Sequence, residues 1–187
     1  MVVIDEKDVD LLRRSGVSAD DIDHCVKVAR KSLEIAERCG GNMDMKLVAR
    51  GALFHDLGKA ITHGITHGKI GAELGRKLGL PAAVTDIMEK HIRGGLTPAE
   101  AQALGLPVKD YALSNIVEKV VIYADRLVDI IYDGVVQLKN ERDAEDRFIE
   151  ILRTYPQYGK NEITLNRYIG YHEEIQALMK GNPCQHM

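Results

Sequence analysis

The 187-residue sequence has no tryptophan and only two phenylalanines, and aromatic residues make up 5% of it. Cysteine is scarce as well. Cys25, Cys39 and Cys184 are widely spaced, odd in number and never part of a C-x-x-C pair. Such a pattern argues against a secreted disulfide framework and fits a reducing cytoplasm, the expected location. No long hydrophobic run is present. The most apolar stretch, 116–136, is interrupted by Glu118, Lys119, Asp125, Arg126, Asp129 and Asp133, so it cannot span a bilayer. The first residues turn acidic at Asp5 and Glu6 without an apolar segment, unlike a signal peptide. An excess of one charge is also missing: 25 basic residues face 28 acidic ones, for a net charge of -3. Nothing so balanced advertises a nucleic-acid surface.

What remains is a soluble, globular composition, 45% hydrophobic and 28% charged. A chain of this length buries about 70% of the surface its unfolded form exposes, and needs neither disulfide nor metal simply to fold. One domain over 1–187 is expected. Apolar residues recur at helical spacing nearly throughout, and glycine and proline fall between the periodic segments. The pattern predicts helices over 5–14, 18–39, 44–58, 69–78 and 81–91, a short one after Thr97-Pro98, and a long apolar one from Ser114. Two charged helices follow, over about 141–153 and 161–180, with 64–68 as a loop. No alternating run is long enough for a strand, so the fold class is all-α.

Histidine carries the chemical information. Val48, Ala52, His55 and Asp56 share one helical face, which puts a polar pair where core residues are expected. A buried carboxylate is costly unless paired or bound to a metal. The dipeptide proves little alone, because 7 histidines and 15 aspartates give roughly 0.6 His-Asp pairs by chance. Asp125 lies on the apolar face of the helix after Ser114, where an internal salt bridge, to Arg126 or a buried arginine elsewhere, is the simple explanation. His24 is in line with Val28 and Ile35 and reads equally as a satisfied core residue. His91 ends the 81–91 helix, where an imidazole also suits the helix dipole. His63 and His67 follow the His-Asp pair closely and would otherwise be two exposed imidazoles in a polar turn. One metal centre accounts for all of these at once, if several helices each project a ligand into a shared pocket: His24, His55, Asp56, His67, His91 and Asp125.

The order H…HD…H…H…D resembles the HD superfamily of metal-dependent phosphohydrolases. Leu53-Phe54-His55-Asp56-Leu57-Gly58-Lys59, His67-Gly68-Lys69-Ile70-Gly71-Ala72 and the 118–126 segment ending in Ala124-Asp125-Arg126 are similar to its characteristic segments. The likeness covers about 18–135, leaving 136–187 as a C-terminal helical extension. Within the superfamily the chain is similar to small stand-alone HD proteins of archaea and bacteria, and its ligand pattern to HD-type diadenosine tetraphosphate hydrolases. The resemblance implies an HD-domain helical bundle in which His24, His55, Asp56 and Asp125 hold a first metal. His67 and His91 are the additions of binuclear members, with Asp56 bridging. His67 is preferred to His63 because His67-x3-Gly71-Ala72 matches the family segment. The glycines around Arg93-Gly94-Gly95, where many members carry a bulkier residue, are a departure that bears on the pocket.

The activity so implied is hydrolysis of a phosphate ester or anhydride in a small nucleotide substrate, with His55, Asp56 and Asp125 catalytic. Imidazole and carboxylate together suit one or two Fe, Mn, Ni, Co or Zn ions better than Mg. Lys59, Arg126 and His63 are candidate substrate contacts; the plain alternative for each cation is a solvated surface group. Two rival readings share the pattern: an HD-type diiron oxygenase and a non-catalytic nucleotide-binding regulatory module. Neither a nucleic-acid nor a membrane partner is expected, and a homo-oligomer is left open. The charge run at 140–147 reads as a solvated helix face, Tyr155-Pro156-Gln157-Tyr158 as a turn, and His172 and His186 as surface residues.

Overall fold

A computed structural model describes residues 4–181. Cys184 and His186 lie outside the described residues. Among the described residues there are helices and short 3-10 turns and no strand. The all-α class is therefore as expected. The helices are α1 (Glu6–Arg14), α2 (Ala19–Cys39), α3 (Met45–Phe54), α4 (His67–Lys77), α5 (Ala82–Lys90), α6 (Pro98–Ala103) and α7 (Ile116–Tyr132). Then come α8 (Glu141–Asp146), α9 (Phe148–Thr154), α10 (Pro156–Gly159) and α11 (Glu162–Gly181).

Side-chain caps start most of the long helices. Asp5, Ser18, Asp44 and Asn115 each accept a backbone N–H from the first turn of the helix that follows. Asn115, one residue later than expected, caps α7, because the Ser114 hydroxyl and amide are taken by the Glu118 carboxylate. Thr97 and Glu100 form a reciprocal capping box on α6. α2 packs against both α3 and α7, and α3 also touches α5 and α7. Their shared core holds Val28, Ile35, Leu53, Phe54, Ile87, Met88, Val121 and Ile122, all essentially without solvent contact. Each such side chain contributes about 1.5–3 kcal/mol by leaving water.

Three boundaries differ from the sequence expectation. α3 stops at Phe54 rather than near Gly58, and Asp56 leaves helical geometry at φ -101°, ψ 14°. The chain then tightens into a 3-10 turn, Leu57–Ala60. A close approach to α4 forces this. A Cβ on Gly58 would lie 1.9 Å from the His67 carbonyl oxygen, and one on Gly71 would lie 2.8 Å from the Gly58 nitrogen. Only two glycines let these backbones touch. Second, α4 begins at His67, two residues early, because the His67 ring bonds back to the Gly64 carbonyl. Third, the expected 141–153 helix breaks at Arg147, which reaches the Gln137 carbonyl, Asp143 and Glu150.

That break corrects two surface assignments. Within the 140–147 charge run, Glu145 is buried and grips Arg38 of α2 through paired contacts of 2.7 and 2.8 Å. His172 of α11 is half-buried, stacks on Phe148 at 5.3 Å and meets the Tyr123 hydroxyl at 2.8 Å. These contacts fasten the C-terminal helices to α2 and α7.

Burial raises the Glu145 pKa, but the Arg38 and Gln176 hydrogen bonds outweigh it and hold the carboxyl below its ordinary value. The stabilisation is thus full above the ordinary glutamate pKa and disappears as pH falls through the lowered one. Glu145→Ala should lower unfolding free energy by about 3 kcal/mol at neutral pH. Chemical denaturation of wild type and variant should show that gap closing in acid; a gap independent of pH would contradict an ionic origin.

Candidate metal centre

Five elements converge on one cleft of about 280 Å³. α2 supplies His24, the end of α3 supplies His55 and Asp56, α4 opens with His67, α5 ends at His91 and α7 carries Asp125. The six residues named from the sequence are brought together. Both Asp56 oxygens are engaged, on opposite sides. Oδ2 lies 3.2 Å from His55 Nε2, 3.8 Å from His24 Nε2 and 2.5 Å from Lys59 Nζ. Oδ1 lies 3.1 Å from His67 Nε2 and 3.4 Å from His91 Nε2. Asp125 Oδ1 closes the first side, 3.0 Å from His24 Nε2 and 3.4 Å from His55 Nε2. The helix break at Asp56 presents its carboxylate to both sides.

The imidazole orientations follow from the backbone. His55, His67 and His91 each direct Nδ1 at a carbonyl three residues earlier, those of Ala52, Gly64 and Met88, at 2.7, 2.8 and 2.7 Å. A carbonyl only accepts, so each Nδ1 carries a proton, and Nε2 is the nitrogen each ring turns toward the carboxylates. Nε2 of His67 and Nε2 of His91 face each other across 2.8 Å. His55 Nε2 is buried and, among the described residues, makes no well-aligned hydrogen bond, with the Asp56 and Asp125 oxygens 3.2 and 3.4 Å away. Two nitrogens turned toward each other and a buried third without an aligned partner, all beside carboxylates, are what a cation between them would satisfy. This residue set therefore fits a metal. Donor atoms fall into two groups, His24/His55/Asp125 and Asp56/His67/His91, each with its ligand atoms within 4.8 Å of one another. Cys25 forms a third such group with His55 and Asp56. Cys25 was not among the ligands expected from the sequence, for its position on α2 is that of any core residue; burial pushes its thiol pKa up.

The charge balance is strongly cooperative. Burial works against ionising Asp56 and Asp125, yet the histidines hold both carboxyls well below the usual range. Burial opposes protonating His55, and the two carboxylates override it, raising its pKa well above normal. His91 is lowered by burial. Burial, then the Asp125 charge, push Asp129 up to about 6.

Of the expected substrate contacts, Lys59 and Arg126 line the cleft. Arg126 is buried rather than a solvated surface group; Nη1 lies 3.3 Å from Asp129, and its guanidinium sits over the Tyr168 ring at 5.0 Å. His63 stands apart, with a 67% exposed side chain bonded to Asp21 at 3.1 Å. Arg93, Asp129, Lys160 and Tyr168 also line the cleft, and none of the four was expected from the sequence as a site residue. Asp129, one helical turn after Asp125, was within reach of spacing arguments; Lys160 and Tyr168 arrive only through the tertiary fold.

Residues 21–129 match the HD domain family. Protein MJ0778 of Methanocaldococcus jannaschii is 35% identical over 166 residues, which is 87% of this chain and 92% of that protein. The chain belongs to the HD-domain family. A tRNA (cytidine(56)-2'-O)-methyltransferase of Picrophilus torridus is 39% identical over 142 residues, 75% of this chain but 40% of the enzyme. The HD domain of the L. monocytogenes phosphodiesterase PgpH, crystallised with cyclic-di-AMP, superposes with a TM-score of 0.56 at 16% identity, covering 95% of this chain and 98% of that one. That likeness concerns the fold.

Because a metal must displace the proton that the carboxylates draw onto His55, affinity should rise with pH through the raised His55 pKa. Calorimetric titration with Mn²⁺ in buffers of different ionisation enthalpy should show proton release, and Asp56→Asn should weaken binding by about 100-fold or more. Binding that neither varies with pH nor responds to this substitution would place the ion elsewhere.

Proposed function

We propose that this protein is a metal-dependent phosphohydrolase that cleaves a phosphate ester or anhydride of a small nucleotide. One observation carries the reading: the two oxygens of Asp56 are divided between two separate nitrogen clusters at 3.1–3.8 Å. A carboxylate so divided suits a bridge between two ion positions. His24, His55 and Asp125 would hold one ion, and His67 and His91 the other. Bound there, two transition metals supply an acidified water near neutral pH and offset charge on phosphoryl oxygens.

The chain's own groups do the rest. The Nδ1 bonds to Ala52, Gly64 and Met88 fix each ring in one tautomer and orientation. In this reading His55, Asp56 and Asp125 form the reactive core, and the ionised carboxylates would accept a proton from the attacking water. Lys59, close to both Asp56 and Asp21, steadies the Asp56 carboxylate and adds positive charge at the cleft. Arg126 supplies planar donors for phosphoryl oxygens. The nucleotide class is supported by family membership and by the fold shared with a phosphodiesterase domain that binds cyclic-di-AMP.

Metal analysis of protein purified without chelators, followed by a phosphate-release screen over nucleotides, tests this directly. Turnover should vanish with chelator, return with Mn²⁺ or Fe²⁺, and fall to background in His55→Ala/Asp56→Ala protein. Retained turnover in the double variant, or oxygen uptake with a phosphonate or polyol in place of phosphate release, would contradict it.

A further inference from the structure

The wall of the cleft formed by Arg93, Arg126 and Lys160 has no role in holding metal. Two of these residues have unusual backbones. Arg93 (φ 50°) and Lys160 (φ 62°) are the two non-glycine residues with positive φ among the described residues, and both line this cleft. Left-handed backbone is costly for long side chains, and it persists where the surroundings enforce it. They do so here. Arg167 donates to the Arg93 carbonyl at 3.0 Å and Tyr171 to the Gly94 carbonyl at 2.8 Å, clamping that turn to α11. Lys160 closes α10 with its amide on the Pro156 carbonyl at 2.8 Å, just after Gly159, whose missing Cβ would meet the Leu152 carbonyl at 2.4 Å.

The charges on this wall are unbalanced. Arg126 is buried, its Nε has no partner, and its single ion-pair partner among the described residues is Asp129 at 3.3 Å. Burial, then repulsion from Arg126 and Arg93, lower the Lys160 pKa, so the three cations feel one another. Three cations lining one wall of a cleft, against the single carboxylate of Asp129 on that wall, form an anion site.

We propose that Arg93, Arg126 and Lys160 form a second anion subsite that holds a phosphoryl group of the substrate other than the one at the His/Asp cluster. The substrate class is then a compound with at least two phosphoryl groups. This rests on the phosphohydrolase reading of the cluster. Lys160 lies beyond the matched segment 21–129, which gives the C-terminal extension a part in choosing the substrate.

Glycine tolerates positive φ, so Lys160→Gly and Arg93→Gly remove charge while relieving backbone strain, and thermal melting should show neither variant less stable. The test is calorimetric titration of Mn²⁺-loaded protein with methyl phosphate and with methyl diphosphate, free Mn²⁺ held constant. Wild type should bind the diphosphate about tenfold or more tightly than the monophosphate. Each glycine variant should lose most of that preference while methyl phosphate affinity and metal content stay unchanged. Equal weakening toward both ligands, an unaltered preference, or no preference in wild type would overturn the subsite. A diphosphate preference present in wild type and lost in the glycine variants, in a protein that releases no phosphate from any nucleotide, would support the subsite and count against the hydrolase reading alone.

Discussion

The site is organised around one buried carboxylate. Asp56 is almost completely removed from solvent, and an ionised group there is tolerable only if positive charge surrounds it. Four imidazoles and the Lys59 ammonium lie within 3.8 Å of its two oxygens. Much of the local architecture serves that arrangement: the premature end of α3, the 3-10 turn after it and the glycine contact that brings α4 close. Without the Gly58–Gly71 approach, His67 would not reach Oδ1, and the carboxylate would face one cluster instead of two.

The backbone also decides the state of the rings. Because three Nδ1 atoms are committed to carbonyl oxygens, the three Nε2 atoms are the ones turned toward the carboxylates and one another. In the chain alone a proton drawn onto His55 balances part of the carboxylate charge, and a cation can take its place. The same helices that bury the hydrophobic core thus hold a polar centre poised for an ion, an instance of local cost accepted at a functional site.

Much of this was legible in the sequence because helical periodicity carries it. His24 and Asp125 stood out as polar residues on apolar faces, and His55-Asp56 as a pair where core was due. The resemblance in the 53–59, 67–72 and 118–126 segments joined them and selected His67 over His63. Other features were hidden for physical reasons. The break at Asp56 comes from the contact of the Gly58 backbone with those of His67 and Gly71, later in the chain, which no local propensity encodes. Glu145 looked solvated because its partner, Arg38, is distant in sequence. His172 looked exposed because its stacking partner, Phe148, sits on another helix. Lys160 and Tyr168 reach the cleft only because α11 docks on the Arg93-Gly94 turn.

That docking also gives the C-terminal helices a place in the account. They close one wall of the cleft and fasten themselves to α2 through Arg38 and Glu145. The central claim, that Asp56 bridges two ion positions, is tested most directly by anomalous scattering from crystals grown with Mn²⁺. Two peaks about 3.5–4 Å apart, one on each side of the Asp56 carboxylate, are the predicted result. Peaks remote from Asp56, or none in the cleft at saturating metal, would contradict it.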